Sequence, residues 1–418
     1  MDTKRVISFL KKLIAFSGPG YLVAVGYMDP GNWATDLAGG SKFGYTLLSV
    51  ILLSNLFAIL LQYLSLKLGI VTGRDLARLC RETFPKPISI VLWLAAEIMI
   101  IACDLAEVIG SAIALNLLFK IPLQIGILIT AFDVFVLLAL LSKKFKYLEA
   151  VVITLILTII ACFGFEIFFS NPVLSEVLNG FIPTSQIISN REMLYIAVGI
   201  LGATVMPHNL YLHSSIVQSK KYAKTNMGKQ EAIRFATIDS TFALCLAFFV
   251  NAAILIVAAA TFHTRGYNSI AEIADAYKLL SPLVGVSAAS TLFAFALLAS
   301  GQNSTITATL AGQVIMEGFL HIKLAPWIRR VITRLFAIIP AIIVLSIYGS
   351  HGLSRLLILS QVVLSIQLSA AVFPLVAFTS SARRMGKFVN SSILMTVSYA
   401  TAVSIAILNI WLIFNVFS

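Results

Sequence analysis

Two short polar motifs interrupt apolar stretches of this chain and carry groups that could bind a metal ion. The first is DPGN at positions 29–32, and the second is MPH at positions 206–208. Carboxylate and amide oxygens bind divalent cations, while a thioether favours softer ions than Ca²⁺ or Mg²⁺. Together they predict a site for Mn²⁺, Fe²⁺, Co²⁺ or Cd²⁺ that discriminates against Ca²⁺. The predicted ligands are three side chains and one backbone carbonyl, from Asp29, Asn32, Met206 and Ala203.

Each motif also contains a proline that should break a helix. Proline has no amide N–H and disfavours helical geometry at the residue before it, so each break frees backbone carbonyls. At membrane depth such carbonyls must be buried in protein or line a cavity. The alternative is two ordinary proline kinks, because proline is common in membrane helices. The carboxylate of Asp29 beside one break favours a binding site.

Three acidic residues, Glu97, Asp104 and Glu107, follow in one apolar stretch. Their spacings of seven and three place them on one helical face, and three acids on one face cannot point into lipid. One interpretation is a proton relay leading away from Asp29, because chains of intramembrane acids are typical of proton coupling. The other is a set of salt bridges to basic residues, such as Arg329, Arg330 or Arg334.

Two histidines, one ending the second motif and one five residues after it, are candidates for the same proton pathway, because histidine titrates near working pH. His208 lies two residues after Met206 and faces away from it on a regular helix, which argues against a metal ligand. His213 lies seven residues after Met206, on the same face, and a structural histidine with satisfied hydrogen bonds is an equal alternative there. Interhelical pairing is expected for the other intramembrane acids, Asp133, Glu166 and Asp239.

The composition shows what kind of element must hold these groups. Hydrophobic residues make up 59% of the 418 residues and charged residues only 11%, whereas a soluble domain carries roughly 25% charged residues. A membrane helix needs about 20 apolar residues. The sequence therefore predicts an all-α polytopic membrane protein with eleven segments at 13–41, 43–70, 86–118, 122–141, 148–170, 192–219, 233–262, 282–318, 326–347, 353–378 and 388–417.

The basic residues predict the orientation of these segments. With eleven crossings, 23 of the 30 Lys and Arg residues fall on the side of the N-terminus and 6 on the other. Such an asymmetry is the positive-inside rule, which places the N-terminus in the cytoplasm and the C-terminus outside the cell membrane. It also accounts for the net charge of +12, so nucleic acid is not an expected partner.

The positions of the two breaks predict an internal repeat. They lie in segments 1 and 6, so the second unit starts from the opposite side of the membrane, as in an inverted five-plus-five repeat with a site at the midplane. The predicted organisation is one transmembrane domain over residues 1–418. It contains a first repeat at 13–170, a second at 192–378 and an extra eleventh helix at 388–417.

The sequence resembles the Nramp family of proton-coupled divalent metal transporters, of the bacterial manganese-transporter type. Four motifs carry the resemblance, at positions 29–32, 206–208, 299–307 and 360–365, and they cover segments 1 to 10. The resemblance implies a LeuT-like fold and the ligands named above, joined in some states by Gln361 and the backbone at Gly26. Family members often have alanine at the position of Gly26, which a carbonyl ligand tolerates.

The resemblance also assigns proton transfer to Asp104 and Glu107, and places His208 and His213 along polar pathways. The expected function is proton-coupled import of Mn²⁺ or Fe²⁺ by alternating access, by a monomer without a bound cofactor. An intramembrane metalloenzyme and a cation channel are the alternatives. The two histidines do not match the HExxH motif of metalloproteases, so no enzyme is expected. Channels repeat a filter by subunit symmetry, unlike this single irregular site.

Overall fold

The computed structural model of the chain describes residues 13, 16–132, 145–267 and 272–417. Every regular element in these residues is helical. The helices are α1 (Pro19–Gly26), α2 (Pro30–Phe43), α3 (Leu48–Thr72), α4 (Leu76–Thr83), α5 (Lys86–Phe119), α6 (Leu123–Ile129), α7 (Phe145–Ser170), α8 (Leu174–Gly180), α9 (Gln186–Ser189), α10 (Arg191–Thr204), α11 (Pro207–Ile216), α12 (Asn226–Thr261), α13 (Ile273–Val284), α14 (Ala289–Leu320), α15 (Pro326–Thr379), α16 (Ala382–Met385) and α17 (Ser392–Phe417).

Both predicted helix breaks are present. Segment 1 is divided into α1 and α2 at residues 27–29, and segment 6 into α10 and α11 at residues 205–206. In each case a proline occupies the first position of the second half, Pro30 or Pro207. Proline suits that position because its missing N–H would have no helical partner there anyway. In each break, one proline therefore ends the first half-helix and begins the second.

The broken helices lie in the interior of the bundle. Within the most apolar window of residues 191–219, 94% of residues are buried, against 33% in the corresponding windows of α7 and α17. α1 and α2 both pack against α12, while α10 packs against α2 and α15. Breaks with free backbone groups are therefore enclosed by protein, as the hydrocarbon core requires.

The long helix α5 shows how the outer surface suits lipid. Val91, Leu94 and Ile98 are exposed along one side, although they are large and apolar. Asp104 and Glu107 are fully buried on the side that packs against α14 and α15. An apolar outside and a polar inside is the reverse of a soluble helix. Seven helices among the described residues are long and apolar enough to cross a membrane.

Predicted segments 9 and 10 meet without a loop. They form the single helical run α15 of 54 residues, interrupted only at Gly349, where φ is 64° and ψ is −159°. An unbroken helix of that length would measure about 81 Å, far more than the roughly 30 Å of hydrocarbon that it must cross. Two spans therefore meet at Gly349, a backbone geometry that favours glycine.

Two other segment boundaries were wrong. Predicted segment 8 began at residue 282, but residues 273–284 form the separate helix α13, which ends at Gly285 with a φ of 80°. Predicted segment 7 began at residue 233, but α12 begins at Asn226, where the Thr225 hydroxyl caps it. Predicted segment 4 covers residues 122–141, of which 133–141 lie outside the described residues, so the count of eleven spans stays a prediction.

Candidate metal centre

Asp29 lies at the break between α1 and α2, and one of its carboxylate oxygens has no hydrogen-bond partner in the described structure. Its Oδ1 accepts a hydrogen bond from the Asn32 amide at 2.8 Å, which caps the first turn of α2. Its side chain is fully buried, and Oδ2 has no hydrogen-bond partner in the described structure. A buried carboxylate oxygen without a donor is costly. A cation at this position would remove that cost.

The side-chain amide of Asn32 is likewise buried without hydrogen-bond partners. Asn32 is 1% exposed, and neither its Oδ1 nor its Nδ2 has a partner among the described residues. Its backbone position is fixed by the first turn of α2, which Asp29 caps. An amide oxygen held in this way is a suitable ligand for a divalent cation.

The two prolines each free one particular carbonyl. The residue four positions after Gly26 is Pro30, and the residue four positions after Ala203 is Pro207. A helical carbonyl bonds to the amide four residues later, and neither proline has one. The carbonyls of Gly26 and Ala203 therefore lose their helical donors for the same reason, at matching positions in the two breaks.

Met206 begins the second half of the other broken helix. It has extended backbone geometry, with φ −74° and ψ 117°, and its side chain is fully buried. Three residues later, Asn209 is also fully buried and has no partner for either amide atom within the described chain. A Cβ at Gly26 would lie 2.3 Å from Asn209 Nδ2, so α11 touches the end of α1 at this point.

Gln361 of α15 joins the two breaks. A Cβ at Gly31 would lie 1.7 Å from Gln361 Nε2, and a Cβ at Gly202 would lie 2.1 Å from the Gln361 carbonyl oxygen. Gln361 is fully buried and its Oε1 has no partner in the described residues. The small size of two glycines therefore lets the side chain of Gln361 approach the DPGN motif and lets its backbone approach α10.

Two neighbouring side chains bond to backbone carbonyls of the first break, and one glycine packs against it. Asn251 of α12 donates from Nδ2 to the Tyr27 carbonyl at 2.9 Å, and the Ser300 hydroxyl of α14 donates to the Met28 carbonyl. In α5, a Cβ at Gly110 would lie 2.1 Å from Pro30 Cβ. The break is thus held by contacts between helices, while Asp29 Oδ2 and Asn32 Oδ1 have no partner among the described residues.

This set of groups has the chemistry of a site for an exchangeable ion. Its donors are one carboxylate, amide oxygens, freed carbonyls and one thioether, which together suit a borderline transition-metal ion. No cluster of three or more His, Cys, Asp or Glu residues occurs in the described part of the chain. A tightly held structural zinc ion would need such a cluster.

The acidic face of α5 is paired with arginines of α15. Arg330 contacts Asp104 through Nη1 and Glu107 through Nη2, the latter at 3.0 Å. Arg334 Nη1 lies 3.7 Å from Glu107, and all four side chains are buried. Near the start of α15, Arg329 Nη2 lies 3.0 Å from a carboxylate oxygen of Glu97. The salt bridges considered from the sequence are therefore present.

The two histidines differ in their surroundings. His213 Nδ1 lies 2.8 Å from Gln62 Oε1, and Gln62 Nε2 donates to the Tyr27 hydroxyl at 2.5 Å. This chain of hydrogen bonds links α11 to the first break. It gives one of the two ring nitrogens of His213 a structural role. His208 is fully buried, and neither ring nitrogen has a partner among described residues. No sequence pattern indicated a role for Tyr27 or Gln62.

The remaining intramembrane acids have three different outcomes. Asp239 of α12 accepts from the amides of Gly20, at 2.7 Å, and Gly18, at 3.4 Å, so it pairs between helices as expected. Glu166 of α7 is fully buried, and neither carboxyl oxygen has a partner in the described structure. Asp133 lies outside the described residues.

Comparisons with known proteins show the family of the chain. A family model described as "Natural resistance-associated macrophage protein-like", abbreviated Nramp, matches residues 20–415. The chain is 63% identical over 406 residues to the "Divalent metal cation transporter MntH" of Listeria welshimeri, covering 97% of this chain and 91% of that protein. It is 62% identical to the protein of the same name from a Nostoc species, covering 97% and 92%.

Solved structures show the same architecture. The manganese transporter of Eremococcus coleocola, crystallised with an aromatic bis-isothiourea compound, superposes with a TM-score of 0.89. Its sequence is 42% identical, and the alignment covers 96% of this chain and 86% of that one. Mhp1, a nucleobase-cation-symport-1 family transporter, matches with a TM-score of 0.64 at 16% identity over 96% and 90% of the chains, which shows the fold alone.

Proposed function

This chain belongs to the Nramp family and transports divalent metal cations, and on that premise we propose that it imports Mn²⁺ and related transition-metal ions together with protons. Membership in a transporter family removes the metalloenzyme considered above. Similarity to Nramp and Mhp1 structures makes it an all-helical, multi-pass membrane protein. Beyond the family and the fold, we propose the metal ligands, the proton route, an inverted repeat of residues 13–170 and 192–378, and a cytoplasmic N-terminus.

The observation that carries the proposal is the unpartnered polar atoms at the two breaks. Asp29 Oδ2, Asn32 Oδ1 and Gln361 Oε1 are buried without donors in the described structure, and the Gly31 contact brings Gln361 against the DPGN motif. A bound cation would satisfy these oxygens at once. The carbonyls of Gly26 and Ala203 and the thioether of Met206 would complete its coordination.

Alternating access follows from where the ligands are attached. They belong to three units, α1–α2, α10–α11 and α15, and each broken helix can move its two halves separately at residues 27–29 or 205–206. In transporters of this design, rocking of such units opens the site to one side and then the other. We propose that the free ligand atoms meet the ion in both states, with Gln361 entering and leaving the coordination shell.

Proton coupling is proposed to begin at Asp29 and to continue through the acids of α5. A carboxylate must be deprotonated to bind a metal ion, so an arriving cation displaces a proton from Asp29. Asp104 and Glu107 share Arg330, and Arg334 lies close by. Protonation of one carboxylate would leave the other paired, which lets this group accept a proton without stranding a charge. Glu97, His208 and His213 are the further proposed steps.

Uptake into liposomes containing the purified protein tests this function. We expect saturable Mn²⁺ uptake that is stimulated by an acidic exterior and accompanied by acidification of the interior. Asp29→Asn should reduce Mn²⁺ uptake at least about tenfold, because it removes the anionic ligand. Asp275→Asn, at an exposed acid of α13, is the matched control and should transport normally.

Two results would contradict the proposal. Mn²⁺ flux that rises linearly with concentration and shows no saturation would indicate a channel. Equal uptake by Asp29→Asn and the native protein would remove Asp29 from the site. Glu107→Gln separates the two cargoes, since the proposal predicts that Mn²⁺ uptake persists while the accompanying proton flux falls.

A further inference from the structure

A cavity of about 490 Å³ opens on the outer face of the bundle, away from the metal centre. Its walls come from α10 and from both sides of Gly349 in α15. Because two spans meet at Gly349, the cavity lies at one membrane boundary rather than at mid-depth. The residues that matter for its chemistry are Tyr195, Tyr348, His351, Arg355, Leu356 and Leu359.

The end of the cavity nearest Gly349 is polar and positively charged. Arg355 is exposed and has no ion-pair or hydrogen-bond partner among the described residues. His351 contacts the carboxylate of Glu272. The hydroxyls of Tyr195 and Tyr348 can donate hydrogen bonds beside the guanidinium. One uncompensated positive charge and two phenols therefore face the cavity.

The deeper part of the same cavity is apolar. Leu356 directly follows Arg355, and Leu359 lies one turn further along α15. Leu359 is 46% exposed and Tyr348 is 67% exposed, so both face the bilayer and not the protein core. A site with an arginine at the boundary and an open apolar wall below it matches the two parts of a phospholipid.

We propose that this cavity binds an anionic phospholipid, with its phosphate on Arg355 and an acyl chain along Leu356 and Leu359. Guanidinium pairs with phosphate through two parallel N–H donors, which fixes its orientation as well as its charge. Tyrosine and arginine are favoured at the level of lipid headgroups. A free phosphate would use the polar end alone and gain nothing from the leucines.

The position of the cavity connects this lipid to the transport cycle. Tyr195 lies on α10, which carries Ala203, and Arg355 lies six residues before Gln361 on α15. Deeper in the membrane these two helices touch closely, since a Cβ at Gly202 would lie 2.1 Å from the Gln361 carbonyl oxygen. A lipid bound in this cavity would therefore contact both of the helices that carry Ala203 and Gln361.

Native mass spectrometry of the purified protein tests the proposal. The protein in a neutral detergent is titrated with phosphatidylglycerol or with phosphatidylcholine, and the bound lipids are counted. We expect one phosphatidylglycerol to bind in preference, and Arg355→Gln to weaken it roughly five- to tenfold through loss of the guanidinium–phosphate contact. Lys278→Gln, at an exposed lysine paired with Asp275 outside the cavity, should leave binding unchanged.

Two further arms make the result decisive. Leu359→Trp fills the apolar part and should weaken the lipid without touching the charge. Soluble glycerol phosphate, which has the same headgroup without acyl chains, should not compete. The proposal is overturned by unchanged binding in both cavity variants, by equal weakening in Lys278→Gln, or by full competition from glycerol phosphate. Native-like melting of each variant shows that the change in binding does not arise from unfolding.

Discussion

Replacement of Asp239 by alanine should loosen the first half-helix from the bundle. The Asp239 carboxylate accepts from the amides of Gly20, at 2.7 Å, and Gly18, at 3.4 Å, at the N-terminus of α1. Those amides belong to the first turn, where helical partners are missing and the helix dipole favours a negative charge. In effect, α12 supplies the cap that α1 does not have in its own sequence.

The magnitude follows from the two distances. A hydrogen bond to a charged group contributes about 1.5–3 kcal/mol, and the longer Gly18 contact adds little. We therefore expect Asp239→Ala to cost about 2–3 kcal/mol and Asp239→Asn, which keeps a neutral acceptor, about 1 kcal/mol. With an unfolding entropy of about 2.1 cal/mol/K per residue, the alanine variant should melt roughly 3 °C lower.

The assay combines melting with accessibility of α1. Intrinsic tryptophan fluorescence gives the melting temperature in detergent. Thiol labelling of a cysteine at position 24, in a background without the native cysteines, reports how often α1 separates from α12; Ala24 itself is fully buried. Labelling should be faster in Asp239→Ala than in Asp239→Asn, and unchanged in the control Asp275→Ala. Melting and labelling identical to the unsubstituted protein in Asp239→Ala would refute the capping argument.

Two further predictions concern the contacts around the site. Gly31→Ala should lower Mn²⁺ uptake, because its Cβ would lie 1.7 Å from Gln361 Nε2 and displace that side chain from the DPGN motif. Gln361→Ala in the same chain should restore part of the uptake, and a double variant as impaired as Gly31→Ala alone would contradict this steric explanation. Arg330→Gln should lower stability by about 3–5 kcal/mol, because it leaves the buried carboxylates of Asp104 and Glu107 without their shared partner. Native-like melting of Arg330→Gln would show instead that these acids are neutral without it.

The sequence was sufficient for the central features because each has a local cause. Pro30 and Pro207 break their helices by chemistry that needs no tertiary information. The spacing of Asp104 and Glu107 placed them on one face, and their burial follows because charged groups avoid lipid. The pairing with arginines was foreseen only as one of two interpretations, since spacing along one helix does not identify the partner on another.

Other features depended on contacts that no local pattern specifies. Gln62 and Tyr27 are far apart in sequence, and neither lies in a recognisable motif. The hydrophobic pattern assigns residues 282–284 to a span, although they belong to a separate helix that ends at Gly285. The sequence predicts that Asp239 pairs with a group on another helix. Its partners are backbone amides, which the residue types of α1 do not indicate.

The most direct test of the account is the ion selectivity of Met206→Ala. Mn²⁺ uptake into liposomes is measured with increasing Ca²⁺ outside, for the unaltered chain and for the variant. Because a thioether favours Mn²⁺ over Ca²⁺ while oxygen ligands serve both, the account predicts that Ca²⁺ competes at least about tenfold better in the variant. The same Mn²⁺ to Ca²⁺ preference in both proteins would contradict a metal centre built around Met206.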